Sequence, residues 1–109
     1  MPPEVYVAAE NVRSERDAVE LIGGALGQGA RFVAIPAERL DDDFFRLRTG
    51  VAGAILQKFV TYRIPLAIVG DISAHVEASS ALRDFVYESN RGEHVWFVTD
   101  LAELEKRLG

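Results

Sequence analysis

Ile64 to Gly70 reads IPLAIVG, almost wholly apolar, with proline near one end and glycine at the other. Seven residues are too few for a buried helix. A strand with one wet face alternates apolar and polar residues, whereas an unbroken apolar run fits a strand covered on both faces. Three more runs share this character: VYVAA (5–9), RFVAIP (31–36) and HVWFVT (94–99). Strands of this kind belong to sheets whose crossovers are helices, so the segments between them should carry helical periodicity.

They do. After the first run, Ser14 is a fitting N-cap, and Ala18, Val19, Ile22, Ala25 and Leu26 form an apolar stripe ending at Gly27 and Gly29. Val51, Ala52, Ile55, Leu56, Phe59 and Val60 repeat the pattern up to Tyr62. Leu82, Phe85 and Val86 mark a third helix, with Ser79 or Ser80 at its start and Gly92 as its stop. The last helix opens on Asp100 with Glu103 three residues later, a variant capping box, and turns Leu101, Leu104 and Leu108 inward. The expected fold is thus α/β: one small βαβαβαβα domain over residues 1–109, with a mostly parallel four-stranded sheet flanked by helices. Periodicity leaves the first strand open. It can pair beside the second or the third, or run antiparallel at an edge.

Composition limits the chemistry. At 109 residues and 49% hydrophobic, the chain has material for one core. With no cysteine, disulfides, zinc–thiolate centres and thiol nucleophiles are excluded. No apolar run approaches the length that spans a bilayer, so no membrane partner and a cytoplasmic location are expected. A net charge of −5 disfavours nucleic acid, which is held by phosphate neutralisation. One window departs from that balance: residues 44–70 hold Arg46, Arg48, Lys58 and Arg63 and no acidic residue.

Ligands of open parallel sheets bind beyond the carboxyl ends of the strands. Two segments qualify. The first is the irregular stretch Ala37–Thr49, whose LDDDFFRL suggests a loop or short helix pinned by Phe44 and Phe45. It leads into Thr49-Gly50, a helix start that could receive an anion or carry a phosphate paired with Arg46 and Arg48; the alternative is a threonine N-cap followed by a glycine that permits close packing. The second is GDIS, where Asp71 and Ser73 are either binding residues or the cap of the next turn. Asp41, Asp42, Asp43 and Asp71 lack the spacing of a calcium loop, so no metal is expected.

ESNRG (88–92) follows a helix and precedes a strand, which sets it at the opposite end of the sheet. Glu88, Ser89, Asn90 and Arg91 are a candidate partner edge there, or Asn90 or Gly92 supplies a left-handed helix cap. His75 and His94 have no companion ligand spacing and form no recognisable triad with a serine, and His94, starting a strand, reads as structural. LIGGALGQG lacks the lysine and spacing of nucleotide loops. No catalytic triad or carboxylate pair is marked by spacing, and no cofactor is expected.

From Phe44 to Leu108, FFRLRTGVAGAILQKFVTYRIPLAIVGDIS, then SSALRDFVYESNRG and VWFVTDLAELEKRL, the chain resembles a small bacterial family described as domain of unknown function 4180. From Leu47 onward the order of elements also resembles STAS domains, the fold of anti-sigma-factor antagonists. That resemblance implies a phosphorylated switch position at Thr49 followed by Gly50, with Leu47 and Arg48 standing where an acidic residue and a serine occur. The function it implies is a non-enzymatic regulatory or protein-interaction module, switching a protein partner or a second copy of itself through the helix start at Thr49. The alternative from the residues is a small anionic-ligand binder, or a minor enzyme, using Asp71, Ser73, Thr49 and Arg48 at the carboxyl edge.

Overall fold

A computed structural model describes residues 4–109. Its strands are β1 (Val5–Val7), β2 (Phe32–Pro36), β3 (Leu66–Val69) and β4 (Val95–Val98). All neighbours are parallel, and spatial order equals chain order, β1-β2-β3-β4. The first strand is therefore a parallel edge strand beside the second, with Val5 opposite Phe32 and Val7 opposite Ala34. The helices are α1 (Glu15–Gly27), α2 (Asp42–Phe45), α3 (Val51–Thr61), α4 (Ser73–Ala78), α5 (Ser80–Arg91) and α6 (Leu101–Leu108).

Sequential parallel order has a consequence for layering. Crossovers of one hand, each stepping one strand over, all land on the same face. Val33, Ile35, Leu66, Ile68 and Phe97 point to that face, and α1, α3, α4 and α5 pack on it through Ile22, Ile55, Phe59, Val76 and Leu82. The alternate residues Phe32, Ala34, Ala67 and Val98 point the other way and meet only α6, through Leu104 and Leu108. Both faces are covered over β2–β4, which explains the unbroken apolar runs. The second cover is a single eight-residue helix, and at the β1 edge Val7 stays 44% exposed.

The caps follow local chemistry. Ser14 Oγ accepts the Asp17 N–H at 3.2 Å, while the Asp17 carboxylate accepts the Arg13 N–H at 2.9 Å. Asp100 accepts the Glu103 N–H at 2.8 Å, and Glu103 reaches back to the Thr99 N–H and hydroxyl. Two helical stripes are narrower than the sequence suggested. On α1, Ala18, Ile22 and Ala25 are buried, whereas Val19 and Leu26, one residue around the helix, face outward at 37% and 49% exposure. On α6, Leu101 lies outside the Leu104–Leu108 stripe and is exposed.

Residues 37–50 are compact: a 3-10 turn at Ala37–Arg39, then α2, then a 3-10 turn at Leu47–Thr49. Phe44 and Phe45, in edge-to-face contact at 5.2 Å, anchor it with almost no exposure. Gly70 lets the β3 exit lie against this segment. It has φ +146°, and a Cβ there would meet the Ala37 Cβ at 2.9 Å.

Candidate functional site

The carboxyl ends of β2 and β3 release the 37–50 segment and the Gly70–Ile72 turn side by side. Two adjoining clefts open there. One, of about 460 Å³, lies between the exits of β2 and β3 and is lined by Glu38, Asp42, Phe45, Asp71 and His75. The other, of about 530 Å³, lies between the 37–50 segment and the α4–α5 junction. Arg46, Arg48, Leu47, Ala78 and Ser79 line it, and it shares Asp42, Phe45 and His75 with the first.

The structure separates residues that the sequence grouped together. Arg46 and Arg48 belong to the second cleft and Asp71 to the first, while Thr49 and Ser73 line neither. Thr49 Oγ1 sits 2.7 Å from the Asp43 carbonyl and 2.8 Å from the Arg46 carbonyl, and accepts the Val51 N–H at 3.3 Å. Its proton and a lone pair thus serve the backbone on both sides of the turn. The position that caps α3 is Gly50, in the left-handed region with φ +80°. No atom crowds its missing Cβ. The glycine is there for backbone shape rather than for close packing.

Asp71 closes an Asx turn: its carboxylate accepts the Ser73 N–H at 2.9 Å at the start of α4. This bond and that of the Ser73 hydroxyl hold the Asp71 carboxyl below its ordinary value. The α4 helix itself was not foreseen; Ser73–Ala78 is one and a half turns set between Asp71 and Ser79. It carries His75, whose ring stacks on Phe45 at 4.3 Å and 14°. His75 Nε2 stands 4.0 Å from Asp42 Oδ1. Sequence spacing could not find this group, because Asp42 and His75 are distant in the chain and meet only through the fold.

The three consecutive aspartates go separate ways. Asp41 pairs with Arg13 at 3.3 Å, Asp42 faces His75, and Asp43 lies 3.8 Å from Arg46. Among the described residues no three acidic or histidine side chains gather as a metal site. Arg48 is exposed and makes no ion pair among the described residues.

The ESNRG segment does lie at the other end of the sheet. Asn90 is not a left-handed cap; its carboxamide oxygen accepts the Phe97 N–H at 2.7 Å on the outer edge of β4, and its own carbonyl accepts from Arg107. The helix stops at Gly92 in an extended conformation. Glu88 and Arg91 form a solvent pair at 3.8 Å. Close by, Trp96 Nε1 donates to the Gly92 carbonyl at 2.8 Å, and the Arg107 guanidinium lies 4.1 Å over the indole.

The fold and site define a class: a small parallel α/β domain whose polar clefts open at the carboxyl edge, with no described helix long and apolar enough to cross a membrane. Within that class, the chain belongs to the family described as domain of unknown function DUF4180, which matches it over residues 4–108. No curated protein and no solved structure matches it.

Proposed function

We propose that this domain is a non-enzymatic interaction module with a regulatory role, and that its carboxyl-edge cleft docks an acidic segment of a protein partner. The observation that carries this reading is the pair Arg46 and Arg48 in a cleft whose lining also includes the apolar side chains of Phe45, Leu47, Ala78 and Ala81. Guanidinium groups beside apolar side chains suit a chain segment with carboxylates flanking an apolar residue. The first turn of α5 opens on the same cleft and adds the positive end of its dipole. The surrounding window, residues 44–70, is the longest stretch without an acidic residue in a chain of net charge −5. In a net-negative chain these two guanidiniums are what would draw an acidic segment to this cleft.

A labelled peptide of alternating glutamate and leucine is the direct test. Binding should weaken at least tenfold in Arg46→Gln/Arg48→Gln and fall with added salt. A peptide that binds both proteins equally sinks the reading. The second reading, a small anionic ligand, is favoured by the adjoining cleft at the strand exits. Citrate or inorganic phosphate displacing the peptide at micromolar concentration would favour it, and a second copy of this chain as the partner would show as a dimer in native mass spectrometry.

Switching through Thr49, which the STAS resemblance implies, has a specific physical form. A phosphoryl group would remove the proton shared between the Asp43 and Arg46 carbonyls and set negative charge beside them. The turn that presents Arg46 and Arg48 would shift along with the charge. Thr49→Asp should then alter peptide affinity beyond the change seen in Thr49→Ala; equal affinity in both variants and wild type removes Thr49 as a switch.

A further inference from the structure

The geometry points to His75 as the residue that makes anion binding in this cleft depend on pH, its imidazolium adding a positive charge beside Arg46 and Arg48. The inference rests on the reading of the cleft as a site for carboxylates. It adds a specificity-determining residue that composition and spacing did not mark.

His75 is held in place rather than free on the surface. Its ring lies flat on Phe45, which is itself 3% exposed, and α4 is fixed at one end by the Asp71 turn and at the other by Ser79. The ring forms part of the wall of both clefts. The charged groups that face it come from three neighbours. The 37–50 segment supplies Asp42, Arg46 and Arg48 on the cleft walls and Asp43 behind Arg46. The β2 exit supplies Glu38, and the β3 exit supplies Asp71. Ser79, at the start of α5, is the polar neighbour on the remaining side.

Charge counting gives the direction. Asp42, Asp43, Arg46 and Arg48 sum to zero, and Glu38 and Asp71 of the adjoining cleft bring the group to −2, so the guanidiniums meet a ligand with their charge already offset by nearby carboxylates. With a neutral imidazole, the Asp42 carboxylate stands uncompensated at the rim and opposes an incoming carboxylate. Protonation turns the 4.0 Å contact between His75 and Asp42 into an ion pair and raises the net charge of the group by one, from −2 to −1. Histidine is the residue type that changes charge between pH 5 and 8, a range over which arginine stays protonated and ordinary carboxylates stay ionised. One added charge a few ångströms from a ligand carboxylate, screened as at a protein surface, corresponds to about a three- to tenfold gain in affinity.

The experiment measures binding of the glutamate–leucine peptide by fluorescence anisotropy at pH 8, 7 and 6 and constant ionic strength. Wild type should bind about three- to tenfold more tightly at pH 6 than at pH 8. His75→Gln should lose that slope. Arg48→Gln should bind more weakly at every pH while keeping it, and His94→Gln, at the far end of the sheet, should behave as wild type. A slope that survives His75→Gln, or a flat profile in wild type that binds the peptide, overturns the role of His75 alone. Wild type that binds no peptide at any pH overturns the cleft reading and this inference with it.

Discussion

The two ends of the sheet use similar residues in opposite ways. At the amino end of β4, Asn90, Trp96 and Arg107 are committed to one another and to the backbone through hydrogen bonds and a cation–π contact. At the carboxyl ends of β2 and β3, Arg48 has no ion-pair partner among the described residues, and Arg46 and His75 have only long, solvent-facing ones. ESNRG and FRLRTG each carry arginine, a hydroxyl side chain and a glycine. What separates a structural segment from a binding one is whether the fold already supplies each polar group with a partner. Substitutions at the two ends should therefore differ in kind, stability at one and binding at the other.

The largest effect tests what lies under the binding end. Phe44 is 1% exposed and, with Phe45, anchors the segment that carries both arginines. Phe44→Ala should cost about 3–5 kcal/mol, and peptide affinity should fall with it as the segment loosens. A variant that loses less than about 1 kcal/mol in urea unfolding would show that the segment is held by something other than its aromatics.

Next is Asn90. Among the described residues, its carboxamide oxygen is the acceptor for the Phe97 N–H on an edge strand, at a half-buried site. Asn90→Ala leaves that donor without a partner, at a cost of about 1–3 kcal/mol. The contrast with the other end predicts unchanged peptide binding. Stability unchanged in Asn90→Ala, with binding lost, would reverse the assignment of the two ends.

Gly50 is smaller still. Its φ of +80° is a region that residues with a Cβ occupy at a cost of about 1–2 kcal/mol. Because the space around it is open, the penalty is conformational and not steric. Gly50→Ala should therefore destabilise by about that amount, and Gly50→Asn by less, since asparagine tolerates the left-handed region. Equal losses in the two variants would point to a clash instead.

Much of this was legible in the sequence, and the rest was not for definable reasons. The four strands showed as unbroken apolar runs because both sheet faces are covered from β2 to β4. Ser14, Ser79 and Asp100 announced helix starts because a cap is a local bond between near neighbours. The anchoring role of Phe44 and Phe45 was readable from two aromatics in an acidic loop. Strand order was not readable, because β1 pairs across the whole of α1, and three residues carry no register of their own. Thr49 looked like the cap of α3, yet the hydroxyl bonds backward to Asp43 and Arg46, a closure set by the 3-10 turn. The Phe45–His75–Asp42 group was hidden because its members come from two segments joined only by the parallel crossover through α3 and β3.

Asp71 offers the smallest effect and the sharpest check on the β3 exit. The Ser73 backbone and hydroxyl hold its carboxyl below the ordinary 3.8. A depressed folded value means that the ionised form stabilises the fold, fully above the unfolded value and progressively less as pH falls through the folded one. The side chain is solvent-exposed, so the contribution is small. Asp71→Asn keeps an oxygen for the Ser73 N–H but not the charge. Wild type should melt slightly higher than Asp71→Asn at pH 7 and pH 5, and the gap should close as the pH drops well below 3.8. A gap that stays constant down to pH 2 would mean that the turn depends on the shape of the side chain and not on its charge, leaving Asp71 free to act in the adjoining cleft.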